Sequence, residues 1–402
     1  MQDIIVYGAT SFVGQIVTRY LCESLGHTSA IKLAIAGRNP KKLEELAQSL
    51  PESWASIDIL VADATDEIAL CKMVEQGRVI ISTVGPYAHY GELLVKACAT
   101  AGVDYCDLTG EVPWMHRMIS KYGEIARESG SRLLHCCGFD SVPSDLGVYH
   151  LQKRSEADHG EPCIDISMRL EDAKGGVSGG TIASLVNVID EAGDTKVRRM
   201  LKDPYSLCPD EGKPTVRQED LNLPRFEPLF NGWAGPFVMA AINTKVVHRS
   251  NALMDYGYGK AFRYCEGLLF GPGPVGRLKI NAATIALALT MLLCRVRFSR
   301  NLLLDYIFPK PGQGPSARVQ QQGYYKLKFI GKTASGHILT SRVTGDADPG
   351  YGSTAKIISE VALCLLTTPK QPLGGFWTPA SLLGERLIER LEAKAGLSFE
   401  SV

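Results

Sequence analysis

The residues with the clearest chemical meaning lie near the start of the sequence, in the stretch Gly8, Ala9, Thr10, Ser11, Phe12, Val13 and Gly14. This stretch joins an apolar run to an amphipathic one, and its two glycines frame a turn. Such a turn holds the pyrophosphate of a dinucleotide against the amino end of a helix, where amides and the helix dipole attract the anion. Ser11 stands where the usual pattern has its central glycine, and its hydroxyl either donates to phosphate or caps the helix. All seven residues are predicted to bind a dinucleotide; a glycine turn without a ligand is the alternative.

A cation follows the second apolar run, at a position where NAD sites usually have Asp or Glu. The sequence there reads Gly37-Arg38 and continues to Lys41 and Lys42, with no acid among them. A guanidinium offers a planar fork that matches phosphate oxygens, so Gly37 and Arg38 predict NADP(H) as the cofactor. The alternative is that Arg38 is a solvated turn residue. Asp63, after the third run, is predicted either to contact the adenine amino group or to cap the next helix.

The segment after the fourth apolar run suits the nicotinamide end of the cofactor. It consists of Thr83, Val84, Gly85 and Pro86, and an ordinary turn from strand to helix is the alternative. Three side chains are candidates to donate a proton to a substrate there, namely Tyr87, His89 and Tyr351. Two of them have an alternative, purely structural role: His89 suits the surface at the start of a helix, and Tyr351 suits packing under a turn.

Five further residues are predicted to line a substrate cleft. Asp140 and Ser141 follow the sixth apolar run, where they either face the cofactor or cap a helix that has Pro143 in its first turn. Ser178 and the amides of Gly179 and Gly180 precede another helix, and they suit an oxyanion that develops on a substrate.

Alternating strands and helices are required to bring these residues together. Strands are predicted at 4–7, 31–36, 57–62, 78–83, 103–108 and 132–137, with helical segments between them. Strands that alternate with helices form a parallel sheet, and ligands bind at the carboxyl edge of such a sheet. Residues 1–150 are therefore predicted to form a Rossmann-type, doubly wound α/β domain that binds NADP.

The pattern changes after residue 150 to amphipathic strands, a hairpin and glycine-rich turns. This change predicts a second, α+β domain for substrate binding and dimerisation over residues 151–345. Residues 203–235 are rich in proline and polar groups, and they read as an irregular segment. Two closing helices are predicted at 353–366 and 379–395.

Composition excludes several classes of protein. The 402 residues include 43 basic and 43 acidic ones, so no net charge attracts nucleic acid. The cysteines lack the spacing of a metal site, and no metal is expected. The sequence enters an apolar strand without a secretory signal, so we expect a cytoplasmic protein.

The longest apolar run, 282–294, is shorter than the ~20 residues that cross a bilayer. A buried core helix is favoured over membrane contact, and no transmembrane segment is expected. Peripheral contact with a membrane and formation of a homodimer are left open.

Several segments resemble the saccharopine dehydrogenase-like oxidoreductase family, and within it the trans-acting enoyl reductase branch. They are GVDYCDLTGE (102–111), CGFDSVPSDLG (137–147), GGVSGGTIAS (175–184), GDADPGYGSTAK (345–356) and GGFWTPASLLG (374–384). The family usually has Gly at the position of Ser11.

The resemblance implies an NADP(H)-dependent oxidoreductase that reduces an unsaturated acyl (enoyl) or related lipid-like small molecule by hydride transfer. It also implies that helices of a third segment, residues 346–402, fold back on the nucleotide domain. Two alternatives remain: a saccharopine-type amino-acid dehydrogenase acting on a C–N bond, and a non-catalytic, lipid-associated protein that binds NADP.

Overall fold

A parallel sheet occupies the first part of the chain, as predicted. The computed structural model describes all residues except 27–29, 177–178, 307–313, 315–316 and 371–373. Within that part of the chain the sheet has seven strands, numbered in chain order: β1 (Gln2–Tyr7), β2 (Leu33–Gly37), β3 (Asp58–Val61), β4 (Gly77–Ser82), β5 (Asp104–Asp107), β6 (Arg132–Leu134) and β13 (Gly375–Trp377). Their spatial order is β13-β6-β5-β4-β1-β2-β3, and all neighbours are parallel.

Helices connect these strands and cover the sheet. They are α1 (Phe12–Leu25), α2 (Pro40–Gln48), α3 (Glu67–Val74), α4 (Tyr87–Tyr90), α5 (Glu92–Ala101), α6 (Val112–Ser129) and α7 (Val142–His159). The central strands are buried on both faces, which explains their continuously apolar sequences. The order of the first six strands confirms the Rossmann-type fold. In this order β1 and β4 are neighbours. The chain adds strands on one side of β1 up to β3 and then continues on the other side from β4, so the strand order reverses between β1 and β4.

A second, mixed sheet follows. In the described residues its strands are β7 (Cys163–Lys174), β8 (Arg225–Glu227), β9 (Gly232–Gly235), β10 (Arg263–Phe270), β11 (Tyr324–Thr333), β12 (Ile338–Gly345) and β14 (Leu397–Ser401), in the order β14-β12-β11-β7-β10-β9-β8. Only β7 and β10 are parallel neighbours, and β11 and β12 form the predicted hairpin. Its helices are α8 (Gly179–Glu191), α9 (Thr195–Lys202), α10 (Ala240–Leu253), α11 (Gly273–Arg295), α12 (Arg297–Tyr306) and α13 (Ala317–Gln321).

The segment 203–235 is less irregular than its composition indicates, because β8 and β9 lie within it. The strand β9 has the sequence GWAG, in which Trp233 is the one residue of a type that is usually enriched in strands. Its glycines permit close packing instead: a Cβ at Gly235 would lie 2.6 Å from Ile280 of α11, and one at Gly232 would lie 2.6 Å from the carbonyl oxygen of Phe270. Tertiary packing, and not strand propensity, therefore forms this strand.

The end of the chain contributes to both sheets. It contains α14 (Thr354–Thr367), α15 (Pro379–Leu382) and α16 (Gly384–Arg390), while β13 joins the first sheet and β14 the second. The single helix predicted at 379–395 is divided, since Gly384 has φ of +45°, a left-handed value. The α14 helix lies beside α1, where the Tyr20 hydroxyl donates to Oε1 of Glu360 at 2.9 Å. The division of the chain at residues 150 and 345 stays a prediction.

The interpretation of residues 282–294 as part of a buried core helix is wrong. They belong to α11, a helix of 23 residues in which only Gly276, Ile280 and Cys294 are buried. By length and composition alone this helix could cross a membrane, and 11% of its most apolar window is buried inside the protein. The apolar run covers only the later part of this helix, which begins nine residues earlier, at Gly273.

Candidate active site

The turn after β1 has the geometry of a phosphate cradle. Gly8 has φ of +80°, a left-handed value that favours glycine. A Cβ at Gly14 would lie 2.2 Å from the carbonyl oxygen of Gly8, so glycine is required for α1 to approach the end of β1. The buried Ala9 donates its amide to the carbonyl of Ala36 at 3.1 Å, which ties the turn to β2. These contacts explain both glycines without reference to a ligand.

Ser11 caps α1. Its Oγ accepts a hydrogen bond from the Gly14 amide at 2.9 Å and lies 3.0 Å from Oγ1 of Thr83, at the end of β4. Of the two roles predicted for Ser11, donation to phosphate and capping of the helix, the structure contains the cap. The amides of Phe12 and Val13 belong to the first turn, where a helix has no internal acceptors, and they remain suitable for an anion. Thr10, also in the turn, lies beside Gly37, whose added Cβ would be 3.9 Å from the Thr10 hydroxyl.

Arg38 lies exposed beyond the carboxyl end of β2. Its guanidinium makes no hydrogen bond or ion pair with any residue in the described part of the chain. Asp63 lies nearby and forms a local turn, since its Oδ1 accepts from the amide and the hydroxyl of Thr65 at 2.9 and 2.7 Å. These hydrogen bonds, with a smaller contribution from the Arg38 charge, lower the pKa of Asp63. The cap of α3 is Asp66, not Asp63, and the adenine contact stays a prediction.

The segment after β4 closes over the cradle. The Thr83 hydroxyl lies 3.0 Å from the carbonyl oxygen of Gly8, and a Cβ at Gly8 would lie 2.6 Å from Val84. Gly85 and Pro86 then lead into α4, with Gly85 exposed. The two predicted cofactor segments therefore meet at the reversal of strand order, where ligands bind in this fold.

The structure argues against Tyr87 as a proton donor. Its side chain is buried, and its hydroxyl donates to the carbonyl of Ser82 at 3.0 Å and accepts from the Leu108 amide at 3.1 Å. Burial, with a smaller contribution from the Asp107 charge, raises the pKa of Tyr87 well above its usual value. The phenol holds the ends of β4 and β5 together, so it has no free proton for a substrate.

The other two candidate donors differ in their exposure. His89 is exposed in α4, with its ring 6.1 Å from that of Tyr90. Tyr351 is buried, and its ring meets that of Phe12 edge-on at 4.8 Å, at the pyrophosphate end of the site. Tyr351 therefore packs under a turn beside the cradle, which is the structural role that the sequence allows for it.

Glu111, which follows β5, is engaged by other parts of the protein and offers little to a ligand. The buried Glu111 accepts from the amides of Tyr87 and Ala88, at 2.8 and 3.0 Å, and so caps α4. It also accepts from Ser184 and Asn187 of α8, at 2.8 and 3.2 Å. This carboxylate therefore connects the carboxyl edge of the first sheet to a helix of the second part of the chain.

Asp140 and Ser141 have different environments. Ser141 is fully buried, and its hydroxyl donates to Oδ1 of Asn243 at 2.9 Å, so it does not face a cofactor. The Asp140 carboxyl is partly buried and makes no hydrogen bond within the described residues. Burial raises the pKa of Asp140 to about 6. Among the predicted cleft residues, Asp140 is the one with an unengaged acid.

Glu266 is a further buried acid, one that the sequence did not single out. Glu266 of β10 accepts from the Tyr264 hydroxyl at 2.7 Å and from Nδ2 of Asn243 at 3.0 Å, and Asn243 also donates to Ser144. Burial raises the pKa of Glu266 to about 7. An acid inside the apolar strand sequence RYCEGLLF was the available signal. The network links the second sheet to the start of α7, next to Ser141.

Of the three residues predicted to bind an oxyanion, two are in the described part of the chain. Ser178 lies outside the described residues, while Gly179 and Gly180 begin α8. Just before them, Gly176 donates its amide to Oδ1 of the buried Asp348 at 2.8 Å, and Tyr351 donates its amide to Oδ2 at 2.8 Å. Asp348 therefore joins the glycine-rich loop to the turn that carries Tyr351.

The residues present fit NADP(H). The turn of Gly8 and Gly14 and the first-turn amides of α1 match a pyrophosphate, and Arg38, which has no partner among the described residues, matches a 2′-phosphate. A cavity of about 460 Å³, lined by Arg78, Asp104 and Arg132 among others, lies at the opposite, amino edge of the sheet. Ligands of this fold do not bind at that edge, so the cavity is not a candidate.

Comparison with known proteins agrees with this fit. The saccharopine dehydrogenase NADP-binding domain family matches residues 4–134. A Mycobacterium tuberculosis protein assigned provisionally to the trans-acting enoyl reductases is 39% identical over 412 residues, covering 99% of this chain and 97% of its own. A trans-acting enoyl reductase from Mycobacterium bovis is 37% identical over 97% of this chain and 95% of its own.

Solved structures support the fold alone. Saccharopine dehydrogenase from Saccharomyces cerevisiae has a TM-score of 0.56 at 12% identity and covers 100% of both chains. Homospermidine synthase from Legionella pneumophila, solved with NAD, has a TM-score of 0.52 at 10% identity and covers 100% of this chain and 91% of its own.

Proposed function

Because this chain belongs to the trans-acting enoyl reductase family and is an NADP(H)-dependent oxidoreductase, we propose that it reduces the carbon–carbon double bond of an α,β-unsaturated acyl thioester. The observation that carries the proposal is the 37–39% identity to those relatives over nearly the whole chain. A saccharopine-type dehydrogenase and a non-catalytic NADP-binding protein are less well supported, since the likeness to saccharopine dehydrogenase is one of fold.

The residues of the first sheet hold the cofactor. The amides at the start of α1 and the Arg38 guanidinium would bind its phosphates, and Thr83 to Pro86 would contact its ribose and nicotinamide. When bound, NADPH supplies the hydride that adds to the β carbon of the double bond, leaving NADP⁺. The remaining task of the protein is to stabilise negative charge at the thioester oxygen and to deliver a proton to the α carbon.

Asp140 is our candidate for the proton donor. It follows β6, at the same edge of the sheet as the cradle, and its carboxyl is not committed to a structural hydrogen bond among the described residues. With its pKa raised to about 6 by burial, Asp140 retains a proton to higher pH than an exposed carboxyl does. His89, Tyr351 and the amides of Gly179 and Gly180 stay predictions for the remaining donors, as does Ser178.

Stopped-flow oxidation of NADPH tests the proposal. A panel of enoyl thioesters of increasing chain length should produce rapid oxidation, and the product should be the saturated thioester by mass spectrometry. A panel of amino acids paired with oxo acids serves as the comparison and should produce none. Tight NADPH binding without oxidation by any enoyl thioester would contradict the proposal, and oxidation by an oxo acid with an amino acid would favour C–N chemistry.

The substrate partner follows from this proposal and is a small acyl molecule. We further propose that the protein acts in the cytoplasm and as a homodimer. The neutral net charge offers no field for nucleic acid. Sedimentation analysis of the purified chain measures the dimer directly.

A further inference from the structure

The helix α11 is apolar on two faces, and only one of them is covered. One face contacts β9, where Ile280 fits against Gly235. The other face carries large apolar side chains at alternating steps of three and four residues, with Ala282 completing the series. We call this face, with Val296 between the two helices and Phe298 at the start of α12, the apolar ridge: Leu278, Ile285, Leu289, Leu292, Val296 and Phe298.

The apolar ridge is exposed along its whole length. Its six side chains are between 52% and 82% exposed. A helix that is hydrophobic on all sides is normally buried, and large contiguous apolar patches on soluble proteins mark interaction surfaces. The ridge therefore requires a covering partner.

The charged residues of the chain segment that carries the apolar ridge are of one sign. Residues 267–304 contain Arg277, Lys279, Arg295, Arg297 and Arg300, and no Asp or Glu. Arg300 is buried and paired with Asp190, whereas the other four cations are exposed at the two ends of α11. Between them lie 15 uncharged residues, 280–294, which span about 22 Å.

This charge pattern disfavours a second copy as the covering partner. A two-fold contact would place the ridge of one copy against the same ridge of the other. Cations at both ends would then face cations, in either direction of pairing, and the segment has no acid to neutralise them. An anionic partner with an apolar interior is the better complement.

We propose that the apolar ridge docks this protein on an anionic lipid surface. The uncharged middle of α11 enters the boundary between headgroups and acyl chains, while the cations at its ends meet anionic headgroups. Trp233 of β9 supports this orientation, because Arg277 stacks on its ring at 5.3 Å and Phe226, 41% exposed, contacts it edge-on at 5.6 Å. Tryptophan is enriched at such boundaries. The contact of α11 with β9 keeps the helix flat on the protein, so it lies on the bilayer and does not cross it.

Flotation of the full chain with lipid vesicles tests this inference without any measurement of activity. The protein should float with phosphatidylcholine vesicles that contain phosphatidylglycerol and much less with phosphatidylcholine alone. Ile285→Glu should weaken flotation by about tenfold or more, since it places a charge in the apolar boundary. Ile68→Glu is the matched control, because Ile68 is a 70% exposed isoleucine of α3, and it should float as the wild type does.

Four results would overturn the inference. They are no flotation with either vesicle, equal flotation with both, equal loss in both variants, and retention in the membrane after washing at high salt and high pH. A concentration-dependent dimer that Ile285→Glu dissociates, without flotation of the wild type, would assign the ridge to a second copy. Circular dichroism and thermal unfolding of both variants verify that each is folded, so a loss of flotation reports on the ridge.

Discussion

At the scale of single residues, the candidate site is defined by which polar groups the fold leaves unengaged. Tyr87 is a candidate proton donor in the sequence, yet its phenol is occupied by a backbone carbonyl and a backbone amide. The buried acid Glu111 is likewise occupied by two backbone amides. Arg38 and Asp140 have no such partners within the described residues. Because a buried polar group with satisfied hydrogen bonds is costly to redirect, the unengaged groups are the ones available to ligands.

Arg38→Ala should weaken the binding of NADPH much more than that of NADH. The difference should be about 1.5 to 3 kcal/mol, the range for a hydrogen bond to a charged group. Fluorescence titration with each reduced cofactor measures it. Lys32→Ala is the control, since this exposed cation precedes the opposite end of β2. Equal losses for NADPH and NADH would contradict the assignment of Arg38 to the 2′-phosphate.

Asp140→Asn should lower kcat, with a smaller effect on KM, and abolish the decline of the wild-type rate above pH 6. The decline is expected because Asp140, with a pKa of about 6, loses its proton there. A pH profile of kcat measures both effects. An unchanged profile in the Asn variant would exclude Asp140 as the donor.

Asp140→Asn should also change the free energy of unfolding, and the sign of this change follows from the raised pKa of Asp140. The folded state holds the Asp140 proton up to pH about 6, whereas the unfolded state releases it near 3.8, so stability falls as pH rises through this window. Asp140→Asn should therefore be more stable than wild type above pH 6, by up to about 3 kcal/mol, and equal to it below the window. Asp145→Asn provides the contrast. Asp145 has a pKa raised to about 7 by burial, but it accepts from Ser250 and from the Ala380 amide, so its loss should destabilise.

At the scale of elements, helix termini and glycine contacts position the site. Ser11 caps α1, Asn39 caps α2 and Asp66 caps α3, each by accepting an amide of the first turn. These caps leave the helices starting at the carboxyl edge of the sheet, with their dipoles directed at the cleft. The Ser11 cap of α1 accepts one first-turn amide, that of Gly14, and the amides of Phe12 and Val13 remain available to an anion.

Ser11→Ala should destabilise the protein by roughly 1 kcal/mol, and Ser11→Gly by a few tenths, as is usual at such caps. Denaturant unfolding measures both, and NADPH affinity should change little, because main-chain amides and not the serine hydroxyl bind the phosphates. Gly14→Ala should behave differently and abolish NADPH binding, since its Cβ would lie 2.2 Å from the Gly8 carbonyl. Loss of NADPH affinity in Ser11→Gly would show that the hydroxyl itself contacts phosphate.

At the scale of the whole molecule, one hydrophobic core extends through both sheets. It contains Ile4 and Val79 of the first sheet, Phe329 and Val343 of the second, and Ile358 of α14, all essentially inaccessible to solvent. Polar contacts cross the same junction, since Arg249 of α10 donates to the Phe376 carbonyl of β13 at 2.6 Å. The two sheets therefore share their stabilising contacts.

This shared core predicts a single unfolding transition for both sheets. Two variants that each retain one tryptophan report on the sheets separately, Trp114 of α6 for the first and Trp233 of β9 for the second. Their fluorescence should change at the same denaturant concentration. Separate midpoints would show that the sheets unfold as independent units.

The sequence by itself determined the alternation of strands and helices, the parallel sheet, the cofactor turn and the cation after β2. These features are local: a glycine turn, a cap and the period of apolar residues depend on neighbours along the chain. The family resemblance added the substrate class, which no local pattern carries.

Only the tertiary structure decided which polar groups are engaged and which apolar faces are covered. The Tyr87 hydroxyl is hydrogen-bonded to Ser82 of β4 and to Leu108, which follows β5. The Glu111 carboxylate is hydrogen-bonded to Ser184 of α8, more than seventy residues away. The apolar residues of α11 read as core because hydrophobicity predicts burial, but it does not specify what covers a helix. Coverage depends on residues distant in the chain, and for α11 these residues reach only one of its two apolar faces.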